Sequence, residues 1–265
     1  MTLEAQAAIV RGAETINLQE GNSRGILLLH GFGDTPQTLG LLANELHSAG
    51  YDVRAPLLPG HGRTFESFAA SRYKDWLSFA RDELKAMRAT HESVTLAGLS
   101  MGGAIAAILA AENPDTPTLV MMAPYMDMPL SHKIAAFGYR FWGADRRRPG
   151  NSPGSIRDPL ERAKNVGYGA YSARLLHELS RLARKARRSL PRVTMPTLIV
   201  QSRTDPRIKP AIAERTLASL GSREKKLVWI EGAGHIITVD YGREQVFREV
   251  REWIDAHVPS LTTTA

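Results

Sequence analysis

Residues 93–111 read SVTLAGLSMGGAIAAILAA, and the fold class follows from them. Its first five residues, 93–97, are mostly apolar and β-branched, the composition of a strand covered on both faces. Its last nine, 103–111, are small and apolar at every helical position, which predicts a helix buried all round. The two are joined by Gly98-Leu99-Ser100-Met101-Gly102, a turn too short for anything but a sharp reversal. A buried strand running straight into a small-residue helix is the unit of an α/β protein.

The same alternation continues on either side. Apolar runs at 25–29, 52–57, 118–122, 197–201 and 226–230 predict further strands. Helical spacing of apolar residues predicts helices near 38–49, 73–89, 209–220 and 243–257, with Trp76, Phe79, Ala80, Leu84 and Met87 marking one face. The reading is an α/β protein with a mostly parallel, doubly wound sheet. Between Tyr125 and Arg192 the alternation stops. Leu130, Ile134, Phe137 and Phe141 share one helical face there, and Tyr171, Leu175, Leu176, Leu179, Leu182 and Leu190 suggest another. Residues 125–192 are therefore expected to form a small helical cap, inserted into a core made of 1–124 and 193–265.

Composition narrows the function classes. The chain has 265 residues, 43% of them hydrophobic and 23% charged, values of a folded globular protein. There is no cysteine, so disulfides, thiolate metal sites and a cysteine nucleophile are excluded. No stretch approaches the roughly 18 apolar residues of a membrane span. The N-terminus has no basic start followed by an apolar run, so a cytoplasmic protein is expected. The net charge is +7, yet residues 125–192 alone carry 15 Lys and Arg against 5 Asp and Glu. All of the positive excess lies in that segment, which marks a local feature and not a wholly basic protein; with no recognised binding motif and few interleaved aromatics, no nucleic-acid partner is expected.

The turn at 98–102 fits G-x-S-x-G, which chance would supply in such a composition about one time in ten. Its strand-to-helix context gives it weight, because a sharp turn there lifts the Ser100 hydroxyl above the sheet edge. A serine hydroxyl is a weak nucleophile without a base, and the base needs an orienting acid. Candidates lie just beyond two later strands, where ligands collect in such sheets. Asp205 follows the strand at 197–201, and His235 follows that at 226–230 in the glycine-rich Glu231-Gly232-Ala233-Gly234-His235. Glu231 competes as the acid but sits in the same turn as the histidine. Two backbone donors are also needed for an oxyanion, and Met101 and Phe32 N–H are placed to supply them.

The set HGFGDTP, PGHG, GLSMGG, Asp205 and GAGH resembles the α/β-hydrolase superfamily, most closely its small bacterial carboxylesterases and monoacylglycerol lipases. The resemblance spans about residues 25–124 and 196–258. It implies a catalytic triad of Ser100, Asp205 and His235, oxyanion donors Phe32 and Met101, and a cap at 125–192. It further implies hydrolysis of a small-molecule carboxylic ester through an acyl-enzyme, on short-to-medium acyl chains, with no metal and no organic cofactor. A monoacylglycerol lipase working at a lipid interface is the alternative; a thioesterase, a carbon–carbon bond hydrolase or a non-catalytic binding protein could use the same fold.

Other features have plainer readings. His30 and His61 read as loop organisers, and His132 and the remaining histidines as surface or packing residues without metal-ligand spacing. Phe137 and Phe141 could line an acyl pocket, although a helical apolar stripe is more often packing. Arg181, Arg184, Lys185, Arg187 and Arg188 share a helix with four leucines, so that helix could rest on an anionic lipid surface or simply cover the site. Oligomeric state has no signature in the sequence.

Overall fold

The structure is a computed structural model that describes residues 7–139, 146–149 and 154–258. In chain order the elements are β1 (Ile16–Leu18), β2 (Arg24–Leu29), α1 (Gly40–Ser48), β3 (Asp52–Ala55), α2 (Phe65–Ala70), α3 (Tyr73–Arg88) and β4 (Ser93–Leu99). They continue with α4 (Met101–Glu112), β5 (Leu119–Met122), α5 (Leu130–Phe137), β6 (Arg148–Pro149), α6 (Pro159–Lys164), β7 (Ala170–Tyr171) and α7 (Ala173–Ser189). The chain closes with β8 (Thr197–Ser202), α8 (Pro210–Ser219), β9 (Lys225–Ile230) and α9 (Arg243–His257).

Seven strands form one sheet in the order β1-β3-β2-β4-β5-β8-β9. Every pairing is parallel except β1 with β3. The doubly wound, mostly parallel sheet expected from the alternating runs is present. Strand periodicity splits β2 between two cores: Leu27 and Leu29 face the layer of α3, α4 and α7, while Ile26 and Leu28 face α1 and α9. β4 lies near the middle of the sheet with its last six residues buried, so the residue that follows it is held from all sides.

Two short elements have no sequence signature. β1 is three residues of an antiparallel edge, too brief for a period to show. The ribbon β6–β7 pairs Arg148 with Tyr171 and Pro149 with Ala170 inside the stretch that reads as strand-free.

α7 starts where the Ser172 hydroxyl accepts the Leu175 N–H at 3.2 Å, an N-cap. It buries Leu175, Leu176, Leu179 and Leu182, each worth about 1.5–3 kcal/mol, in the same apolar cluster as α3 and α4. Its apolar stripe is thus consumed by the core. Arg181, Lys185 and Arg187 on its other side pair with Glu178, Glu112 and Asp127. The lipid-surface reading of this helix is corrected accordingly: the face that would enter a bilayer is already buried.

α5 departs from a different expectation, that Phe137 lines an acyl pocket. It packs on α7 through the small side of the helix, where Ala136 is buried and His177 Nδ1 lies 3.2 Å from the Ala136 carbonyl. The stripe of Leu130, Ile134 and Phe137 points away, into solvent. Phe137 is 88% exposed and stands outside the wall of the cavity at the sheet's carboxyl edge, because it lies about 100° around the helix from Ala136. Phe141 lies outside the described residues. No helix among the described residues is long and apolar enough to cross a membrane.

Candidate active site

Gly98 and Gly102 make the turn between β4 and α4 possible. A Cβ on Gly98 would lie 2.3 Å from the Gly102 carbonyl carbon, and one on Gly102 would lie 2.0 Å from the Leu29 carbonyl oxygen. Between them Ser100 holds φ 54° and ψ −112°, a region that non-glycine residues rarely enter. The strained residue is pinned from two sides: Ser100 N–H donates to the Met122 carbonyl at 2.8 Å, and its own carbonyl accepts from Tyr125 and Ala104. Its hydroxyl is thereby raised to the floor of a cavity at the carboxyl edge of the sheet.

The loops after β8 and β9 bring two further groups to that hydroxyl. Ser100 Oγ donates to His235 Nε2 at 2.8 Å, and His235 Nδ1–H donates to Asp205 Oδ2 at 2.7 Å. All three side chains are buried. Asp205 is held by more than the imidazole. Its Oδ2 also accepts from Gln201 Nε2 at 2.9 Å, and its Oδ1 accepts the Arg207 and Ile208 N–H groups at 2.7 and 3.0 Å. Burial pushes its pKa up, but the charge of the protonated His235 and these donors outweigh that and leave it below the usual carboxylate range. Glu231, the competing acid, faces solvent and pairs with Arg203 at 2.9 Å.

The loop after β2 runs beside Ser100. A Cβ on Gly31 would meet the Ser100 Cβ at 3.5 Å, so backbone and hydroxyl approach closely there. Among the described residues neither Phe32 N–H nor Met101 N–H donates to a protein acceptor. Two histidines brace this loop in a reciprocal manner. His30 Nε2 accepts the Leu58 N–H at 3.0 Å, and His61 Nε2 accepts the Gly33 N–H at 3.2 Å. Their rings meet edge to face at 5.0 Å. Both are buried, and burial drives the His30 pKa down to about 4 and that of His61 well below normal. Neutral rings are what acceptor nitrogens require.

The cavity holds about 630 Å³ and mixes apolar with polar walls. Phe32, Leu176, Leu179 and Ile156 supply apolar surface; Tyr125 and Tyr171 add hydroxyls. His132 belongs to this wall and is not the surface or packing residue its sequence context suggests; burial and then the Arg207 charge lower its pKa. Arg207 was not legible either. Its Nε donates to Ser155 Oγ at 2.9 Å, and nothing in an Asp-Pro-Arg loop announces that direction. Asp34 is also in the wall, with its pKa raised to about 6 because burial outweighs the donors Thr35 N–H and Thr38 Oγ1. Among the described residues no group of three or more His, Asp or Glu could hold a metal ion.

The family model described as serine aminopeptidase, S33 matches residues 21–241. The chain is similar to a thermostable monoacylglycerol lipase of Bacillus sp. (strain H-257), with 28% identity over 96% of this chain and 99% of the relative. It is also similar to a carboxylesterase of Bacillus subtilis (strain 168), with 27% identity over 89% of this chain and 94% of the relative. Among solved structures, a chain from the work on LipS and LipT, two metagenome-derived lipolytic enzymes, superposes with a TM-score of 0.87. It is 29% identical and covers 94% of this chain and 100% of its own.

Proposed function

The chain belongs to the serine aminopeptidase S33 family, within the α/β-hydrolases, and we propose that it hydrolyses small-molecule carboxylic esters through an acyl-enzyme. The observation that carries this is the continuous relay of Ser100, His235 and Asp205, at 2.8 and 2.7 Å, on the floor of a 630 Å³ cavity.

Ser100 Oγ attacks the acyl carbonyl as His235 Nε2 takes its proton. Asp205 keeps Nδ1 protonated and balances the imidazolium that forms. The unengaged N–H groups of Phe32 and Met101 receive the developing oxyanion, with the α4 N-terminus adding a partial positive charge. His235 then protonates the leaving alcohol and draws a proton from the water that frees the acid. The chemistry needs no metal and no organic cofactor. Relatives named as a carboxylesterase and a monoacylglycerol lipase favour esters over amides, and the apolar wall of Phe32, Leu176 and Leu179 suits a short-to-medium acyl chain. A cysteine-free chain needs no oxidising compartment, which suits action in the cytoplasm.

A series of p-nitrophenyl esters from acetyl to palmitoyl tests the proposal. Turnover is expected to peak at short or medium chains, with an acid limb in kcat/KM because only neutral imidazole accepts the proton. Ser100→Ala is expected to lower kcat by several orders of magnitude. A variant within a factor of ten of wild type would rule out Ser100 as the nucleophile.

One observation favours a second reading. Leu130, Ile134 and Phe137 form an exposed apolar stripe on α5, beside the cavity wall made by Pro129 and His132. A monoacylglycerol lipase that meets its substrate at a lipid surface would use such a stripe.

A further inference from the structure

Asp240 has no exposed surface and gathers four backbone N–H groups on one carboxylate. Oδ2 accepts from Gly234 at 2.7 Å and from Arg157 at 2.8 Å; Oδ1 accepts from Asp158 at 2.9 Å and from Tyr241 at 2.8 Å. Among the described residues no Lys, Arg or His pairs with it, so these dipoles alone offset the cost of burying its charge. The donors come from three places. Gly234 immediately precedes His235, Tyr241 is Asp240's neighbour, and Arg157 and Asp158 lie some 80 residues earlier, at the approach to α6.

The approach to α6 is tied to the reacting groups at several further points. The Ser155 carbonyl accepts both His235 N–H and Ile236 N–H at 2.9 Å. The two chains run so close that a Cβ on Gly234 would lie 2.0 Å from the Gly154 carbonyl oxygen. Ser155 Oγ holds Arg207 Nε, while Arg207 N–H binds Asp205 Oδ1. The Arg157 guanidinium spans outward to the Thr204 and Gly232 carbonyls at 3.3 and 3.4 Å. Residues 154–158 thus form a strap across the loops that carry Asp205 and His235, and Asp240 knots one end of it.

We propose that Asp240 is a positioning residue for the hydrolytic reaction: by clamping the 154–158 strap to the His235 loop, it keeps the imidazole aligned between Ser100 and Asp205. This rests on the reading of Ser100, His235 and Asp205 as the reacting groups. In Asp240→Asn two of the four N–H donors face an amide N–H₂ in place of an acceptor, so the strap loosens while side-chain volume is kept.

The experiment counts active sites with a serine-directed fluorophosphonate, then measures kcat, KM and the pH profile per labelled site on p-nitrophenyl butyrate. Asp240→Asn is expected to lower kcat per site 10- to 100-fold with less than a threefold change in KM. The acid limb of kcat/KM is expected to move down by more than half a pH unit, as an imidazole drawn away from Asp205 holds its proton less tightly. An unchanged kcat per site and an unchanged acid limb would overturn the proposal, however low the melting temperature, because a purely structural anchor alters the number of sites and not their chemistry. Should Asp240→Asn fail to fold, Arg157→Ala removes only the exposed end of the strap. It is expected to lower kcat per site two- to fivefold with the same direction of pH shift, and no change in either would again overturn the proposal. Wild-type protein without Ser100-dependent turnover would defeat this inference together with the reading it rests on; normal wild-type turnover with unaltered variants defeats this inference alone.

Discussion

His30 and His61 are each buried with a ring nitrogen accepting a backbone N–H, so protonating either one destroys a bond and charges the interior. An unfolded histidine titrates near 6.5, whereas His30 is held at about 4 and His61 well below normal. Because the folded values are depressed, the unfolded chain binds the extra protons first. Their contribution is complete above about pH 6.5 and is lost as the pH falls toward 4, on the order of 3 kcal/mol for His30. Asp34 acts in the opposite sense. Its folded pKa of about 6 lies above the unfolded value, so it costs stability above pH 6 and gives that back as the pH falls. Urea midpoints are therefore expected to drop between pH 7.5 and 5, and Asp34→Asn is expected to be more stable at pH 8 but to lose stability more steeply on acidification. A variant whose midpoint follows the same pH curve as wild type would show that Asp34 does not titrate in this range.

At the scale of elements, the turn between β4 and α4 leaves no room for side chains at its glycines. Gly102 lies in the first turn of α4 directly beneath β2, and the methyl of Gly102→Ala would overlap the Leu29 carbonyl, which is backbone and cannot swing aside. The substitution is expected to destabilise by about 1–3 kcal/mol or more, the range of a core overpacking, seen as a fall in melting temperature; a variant that melts with wild type would mean the helix can shift. This element was legible because its requirements are local: strand, turn and helix lie within 20 residues, and small residues must stand where backbones touch. The order of Ser100, Asp205 and His235 was legible for the same reason, each lying just past an apolar run. The strap at 154–158 was not, since its meaning depends on Gly234 and Asp240, far along the chain. α5 misleads in a different way. Its stripe of Leu130, Ile134 and Phe137 has the spacing of a core face, yet contact with α7 is made through Ala136, and periodicity cannot tell which face finds a partner.

Across the whole molecule, the exposed stripe and the cavity wall are carried by different faces of α5, which allows the two to be tested apart. Leu130, Ile134 and Phe137 are 72%, 52% and 88% exposed, and α5 ends the wall of the cavity at Pro129 and His132. Moving three large side chains from water into a lipid interface would favour adsorption by a few kcal/mol at roughly 25 cal/mol per Å² of apolar surface. Soluble substrates gain nothing from adsorption, because their concentration at the site is that of the bulk. The triple substitution Leu130→Ser, Ile134→Ser and Phe137→Ser is therefore expected to leave kcat/KM for p-nitrophenyl acetate within twofold of wild type. On a monoacylglycerol above its aggregation concentration, the same protein is expected to lose at least tenfold in rate, and to sediment less with neutral phospholipid vesicles. Equal losses on both substrates would place the stripe in the folding of the cavity wall and leave the soluble-ester reading alone. Equal retention on both would mean that the substrate reaches Ser100 from solution, and that the stripe serves no lipid contact in the reaction.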